Sequence, residues 1–166
     1  MRRVPGSNVV GAVASCTPVA GRVAAASYDS CMTYTALLPI LVAGIVAAFI
    51  GFVWYHPKVF GGAWMRLHNM TPEMVERAKK RMPFMAFAGL LAAMLVAWVM
   101  GSVLTLFQVG DIVSAVVVAF WCWLGFIAPT MLGMVLWEQK SFKLYLITSV
   151  YWLVALIAMA LVLFFF

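Results

Sequence analysis

Residues 37–55 read LLPILVAGIVAAFIGFVWY, nineteen positions without a charged side chain. An α-helix rises about 1.5 Å per residue, so about 20 apolar residues cross the ~30 Å hydrocarbon core of a bilayer. This stretch is long enough to span. Three further uncharged runs follow, at 84–107, 112–137 and 144–166. The composition agrees: 66% of the 166 residues are hydrophobic and 10% are charged. A soluble domain is about a quarter charged and needs that polarity to cover its surface. The expected fold class is therefore all-α, an integral membrane four-helix bundle.

The loops set the expected orientation. Lys58, Arg66, Arg77, Lys79, Lys80 and Arg81 lie between the first and second runs, and Lys140 and Lys143 lie between the third and fourth. The connection Gln108–Asp111 has no basic residue, so eight of the 11 basic residues fall on one side. The positive-inside rule assigns that side to the cytoplasm and both termini to the outside. Trp54, Tyr55, Trp137 and Tyr145 then fall at the cytoplasmic interface, where amphipathic rings settle. The net charge of +6 accordingly points to lipid. No groove-reading motif accompanies it, so nucleic acid is not expected as a partner.

Residues 1–31 differ from the rest, being rich in small residues without sustained periodicity, and are set apart from a membrane domain at 32–166. Three readings stand. The chain begins at Met32 and the upstream residues are a mis-assigned extension, or they form a disordered tail, or they are a processing signal. The last reading draws on Val13-Ala14-Ser15-Cys16 and Ala24-Ala25-Ala26, against an h-region interrupted by Pro5, Gly6, Ser7 and Asn8.

The first cytoplasmic loop contains a short amphipathic helix. Thr71 is placed to cap it, Pro72 suits its first position, and Glu73 and Glu76 precede Lys79, Lys80 and Arg81 along the dipole. Glu73 with Arg77 and Glu76 with Lys80 stand at the i,i+4 spacing of helix ion pairs. Met74, Ala78 and Met82 form one apolar edge. Its basic end is read as anchoring the second span rather than as a lipid-binding surface.

Candidate chemistry is sparse. None of the four runs contains Asp, Glu, Lys, Arg or His. An intramembrane ionisable group is the usual mark of ion-coupled transport, and a small multidrug transporter needs a membrane carboxylate. His56 and His68, twelve positions apart, lack the short fixed spacing of metal ligands. Cys16, Cys31 and Cys122 form no metal-type pair, and no nucleophile has a base within its own element. No enzyme, metal or cofactor is expected. The span hydroxyls are Ser102, Thr105, Ser114, Thr130, Thr148 and Ser149, which usually bond the preceding turn of their own helix. Pro129 is expected to kink the third span.

Two groups of residues stand out. Gly89, Ala93, Ala97 and Gly101 recur every fourth residue along the second span, and Gly125, Pro129 and Gly133 form a matching row in the third. Helices associate in lipid through close approach, which small residues permit, so these rows are expected to pack together. The second group is an aromatic turn, Gly51-Phe52-Val53-Trp54-Tyr55-His56-Pro57 followed by Phe60-Gly61-Gly62-Ala63-Trp64, expected to anchor the first span at the headgroups.

That turn resembles the signature of the family catalogued as domain of unknown function 1761, Gly-x-x-Trp-Tyr-x-Pro-x-x-Phe-Gly-x-x-Trp. Gly51, Trp54, Tyr55, Pro57, Phe60, Gly61 and Trp64 fill its positions. The resemblance extends to Trp123-Leu124-Gly125-Phe126 and Tyr151, and runs from about residue 37 to the C-terminus. It implies a four-span membrane fold and no reaction. Three functional classes follow: a bundle that assembles with itself or another membrane protein, a small oligomeric channel or carrier for an apolar or neutral solute, and a membrane enzyme. The first is expected, because the spans lack ionisable groups.

Overall fold

The computed structural model describes residues 37–166, and the readings of residues 1–31 lie outside the described residues. Four apolar helical segments are present. The first is α1, Leu37–Trp54. A π-helical turn, Pro57–Gly61, and the short α2, Gly62–Leu67, follow it. The second span belongs to α3, Pro72–Leu106. The third is α4, Ile112–Cys122, continued through a π-helical turn, Trp123–Ile127, into α5, Ala128–Leu136. The fourth is α6, Phe142–Phe165.

Side chains cap these helices, Thr71 where it is expected to and Asp111 in addition. Thr71 Oγ1 accepts from the Met74 N–H at 3.3 Å and starts α3. Asp111 starts α4, its carboxylate accepting from the Ser114 N–H at 2.9 Å and the Ser114 hydroxyl at 2.6 Å. These bonds hold the Asp111 carboxyl below its usual range, the Ser114 side chain contributing most. At the other ends, α2 and α3 close on Asn69 and Gln108, both left-handed at φ 51° and 49°. In each, the next two N–H groups turn back onto the last turn: Asn69 to Arg66 and Met70 to Met65, Gln108 to Thr105 and Val109 to Leu104.

The short loop helix and the second span are one element. α3 has 35 residues, about 52 Å at the α-helical rise, and runs through Pro83 without a break. Pro83 cannot donate to the Lys79 carbonyl, and the turn left without that bond is exposed. Within it Arg77 pairs with Glu73 at 3.7 Å. Glu76 takes Lys79 at 2.7 Å in place of the expected Lys80.

α6 is the centre of the bundle: α1, α3 and the third span each pack on it, and α1 also packs on α3. Trp54, at the end of α1, reaches Ile147 near the start of α6, and Leu163 near the end of α6 adjoins Gly101 near the end of α3. The first and third loops therefore share one end of the bundle, and the 107–111 turn lies at the other.

The core is built from small side chains. Eight of the fourteen buried hydrophobic residues are alanine, among them Ala43, Ala47, Ala97, Ala115, Ala119, Ala155 and Ala160. They bring backbones close, the source of helix adhesion in a solvent as apolar as the helices themselves. At Gly44 a β-carbon would stand 2.9 Å from Met94 Cγ, so α1 crosses α3 at a glycine.

The expected pairing of the second span with the third is not formed. α3 and α4 are joined by a tight turn yet scarcely touch. Ala97 is fully buried, and Ala93 and Gly101 are half-buried, in the contact of α3 with α1 and α6. Gly89 is exposed with open space around it. Gly125 and Pro129 are exposed, and beside Gly133 lies only Trp137 of its own helix. The π-turn explains the third-span row: it adds a residue to one turn, so a four-residue spacing read across it no longer marks one face.

Ala97→Leu is expected to lower the unfolding free energy by about 1–3 kcal/mol through overpacking, whereas Gly89→Ala leaves it unchanged or raises it by up to ~1 kcal/mol. Reversible unfolding in detergent checks the pair; equal effects at both sites would mean that the stripe is uniformly packed.

Candidate functional site

The aromatic turn folds back on α6. His56 is extended (φ −63°, ψ 139°), as a residue before proline prefers. The Val59 and Gly61 N–H groups both donate to its carbonyl, at 2.9 and 3.1 Å, while His56 Nδ1 accepts from the Lys58 N–H at 3.3 Å. Gly61 is buried in this turn, and a β-carbon there would collide with the Tyr55 carbonyl. The tight turn therefore needs glycine at that position. Pro57, next in line, opens the π-turn.

This geometry stacks the rings. Phe60 lies 4.7 Å from Trp54 between centroids, and Tyr55 meets Trp64 edge-on at 5.9 Å and Tyr151 at 5.3 Å. Trp64 in turn carries His68 at 4.1 Å, and the His68 ring nitrogen Nδ1 lies 3.1 Å from the Trp64 carbonyl. Tyr151 lies over Gly51, where a β-carbon would stand 3.0 Å from the tyrosine hydroxyl. Trp54, Tyr55 and Trp64 are half-buried. Trp54 and Tyr55 are thus turned onto α6.

Two indoles fasten this region. Trp54 Nε1–H donates to the Ile147 carbonyl at 3.1 Å, and Trp123 Nε1–H donates to the Ser149 carbonyl at 2.8 Å. Trp123 is the first residue of the second π-turn. Residues 147–151 of α6 therefore receive the first span and the third.

A family model described as Protein of unknown function (DUF1761) matches residues 38–164. The chain belongs to the DUF1761 family. No curated protein and no solved structure matches it. Within the matched stretch, Gly51, Trp54, Tyr55 and Trp123 meet α6 between Ile147 and Tyr151.

Other polar groups are mostly spent locally. Ser102, Thr105 and Thr148 donate to the carbonyls of Trp98, Gly101 and Leu144 at 3.0, 2.9 and 3.0 Å, and Thr130 donates to Phe126. Ser149 is the exception: it is 1% exposed and its hydroxyl has no partner among the described residues. Among the described residues no three His, Cys, Asp or Glu side chains gather as a metal site. Sequence reasoning did not single out Ser149 or the Trp123 donation. An indole inside an apolar span is nevertheless a signal, because its N–H must find an acceptor there.

Trp54→Phe and Trp123→Phe are each expected to cost about 0.5–1.5 kcal/mol of stability, the net value of one hydrogen bond. Ser149→Ala should be neutral or stabilising by up to ~1 kcal/mol, since it removes an unpaired buried hydroxyl. Detergent unfolding reads all three; a clear loss at Ser149→Ala would reveal a hydrogen-bond partner for that hydroxyl.

Proposed function

We propose that this DUF1761 protein is a membrane assembly or accessory protein, acting through helix–helix contact with a second copy or another membrane protein and without chemistry of its own. The observation that carries this reading is the third span. It packs almost entirely on α6, and its Gly125 and Pro129 are exposed, with nothing from another helix against Gly125 among the described residues. An open glycine allows a second helix to approach closely in lipid. The uncharged spans and the local use of most span hydroxyls support the same reading. A carrier for a neutral solute is the second reading, favoured by the unpartnered, buried Ser149 hydroxyl. The end carrying the first and third loops faces the cytoplasm in this proposal, on the strength of its basic residues.

Cysteine cross-linking in native membranes tests the contact. In a chain freed of its own cysteines, Gly125→Cys should give covalent dimers or a covalent adduct with a neighbouring membrane protein. Ala119→Cys, fully buried on the α6 side, should give neither. An unlinked Gly125→Cys, with a monomer in lipid nanodiscs, would contradict the proposal. Labelling of cysteines at positions 79 and 140 from the cytoplasm and at 111 from outside checks the orientation.

A further inference from the structure

We infer that the basic end of the bundle is a binding surface for anionic phospholipid headgroups, with Lys80 and Arg81 of α3 at its centre. Charge and depth carry this inference. The end bearing the first and third loops holds eight basic residues against Glu73, Glu76 and Glu138, a net charge of +5, and all eleven are exposed. At the opposite end Asp111 is the sole charge among the described residues. Arg77 and Lys79 are engaged by Glu73 and Glu76. Lys58, Arg66, Lys80, Arg81, Lys140 and Lys143 have no carboxylate within ion-pair distance among the described residues.

Because α3 runs unbroken from water into the apolar span, position along it converts to depth. Phe84 opens the apolar stretch. Lys79, Lys80 and Arg81 precede it by about 4–8 Å along the axis, whereas Glu76 and Glu73 precede it by about 12–17 Å. A headgroup layer is roughly 5–7 Å thick on each side of the hydrocarbon. The cations therefore stand at the level of the lipid phosphates and the two acids stand beyond it. Lys143 occupies the corresponding position on α6, just before Leu144, the first residue of the fourth uncharged run. Met82, Phe84 and Met85 are exposed beside the α3 cluster and supply the apolar contact for acyl chains. Such an arrangement selects a lipid that presents phosphate without a compensating ammonium, at about 1 kcal/mol per basic residue, or fivefold in partition.

The test uses the full chain in phosphatidylcholine vesicles, with energy transfer from its tryptophans to traces of dansyl-labelled lipid. Labelled phosphatidylglycerol should be enriched around the protein by roughly fivefold or more over labelled phosphatidylcholine. The enrichment should collapse near 1 M NaCl, where the screening length falls to about 3 Å. It should fall several-fold in Lys80→Gln with Arg81→Gln, survive in Lys80→Arg, and be indifferent to Asp111→Asn. Equal transfer from the two lipids, or enrichment unchanged in the double variant, would overturn the inference. Displacement of the lipid by millimolar glycerol phosphate would also overturn it, because the surface would then be a site for soluble phosphate.

Discussion

Two indole N–H groups tie the bundle together: Trp54, at the end of α1, and Trp123, in the middle of the third span, each donate to a carbonyl of α6, at Ile147 and Ser149. An N–H in the middle of an apolar span has no water to turn to, so the Trp123 hydrogen has to find an acceptor on the protein. Each of those acceptors lies inside a helix, so the indole adds a second bond to a carbonyl that its own helix already uses. The two donors come from different spans and land two residues apart. That places α1 and the third span against one short segment of α6. Gly51 then faces Tyr151, and the Tyr55 and Trp64 rings close over the same region.

With that segment as the common support, the remaining packing follows from side-chain size. Alanines line the contacts because helices in lipid adhere by close approach rather than by escaping water. α3 joins through Ala97, Met100 and Leu104, one turn after another on the same face. The third span behaves differently. Its π-turn carries Trp123 to α6 and leaves Gly125 and Pro129 outward, so it is attached along one side only. Among the described residues the span least enclosed by the other helices thus also carries an open glycine.

Much of this was legible in the residues alone, for physical reasons that are local. Apart from the start of the first, where the described residues themselves begin, the spans begin and end within two residues of the uncharged runs, except where α3 extends outward, because charge is excluded from hydrocarbon residue by residue. The Thr71 cap and the Glu73–Arg77 pair were likewise readable from neighbours in the chain. The residues of the aromatic turn also announced themselves, but their packing on α6 did not, because whether a ring meets another helix depends on partners about 90 residues away. Helix pairing was not legible. A row of small residues looks the same whichever helix it faces, and the row at Gly125, Pro129 and Gly133 crosses a π-turn that no local pattern marks.

The central claim is that the bundle hangs on α6, with the third span attached almost entirely to it. The unfolding free energy in a bilayer of Leu156→Ala, set beside that of Leu124→Ala, tests this most directly. Leu156 is 3% exposed on α6 and Leu124 is 41% exposed on the third span. The account predicts a loss of about 2–5 kcal/mol for Leu156→Ala and less than ~1 kcal/mol for Leu124→Ala. Equal losses, or a tolerant Leu156, would contradict it.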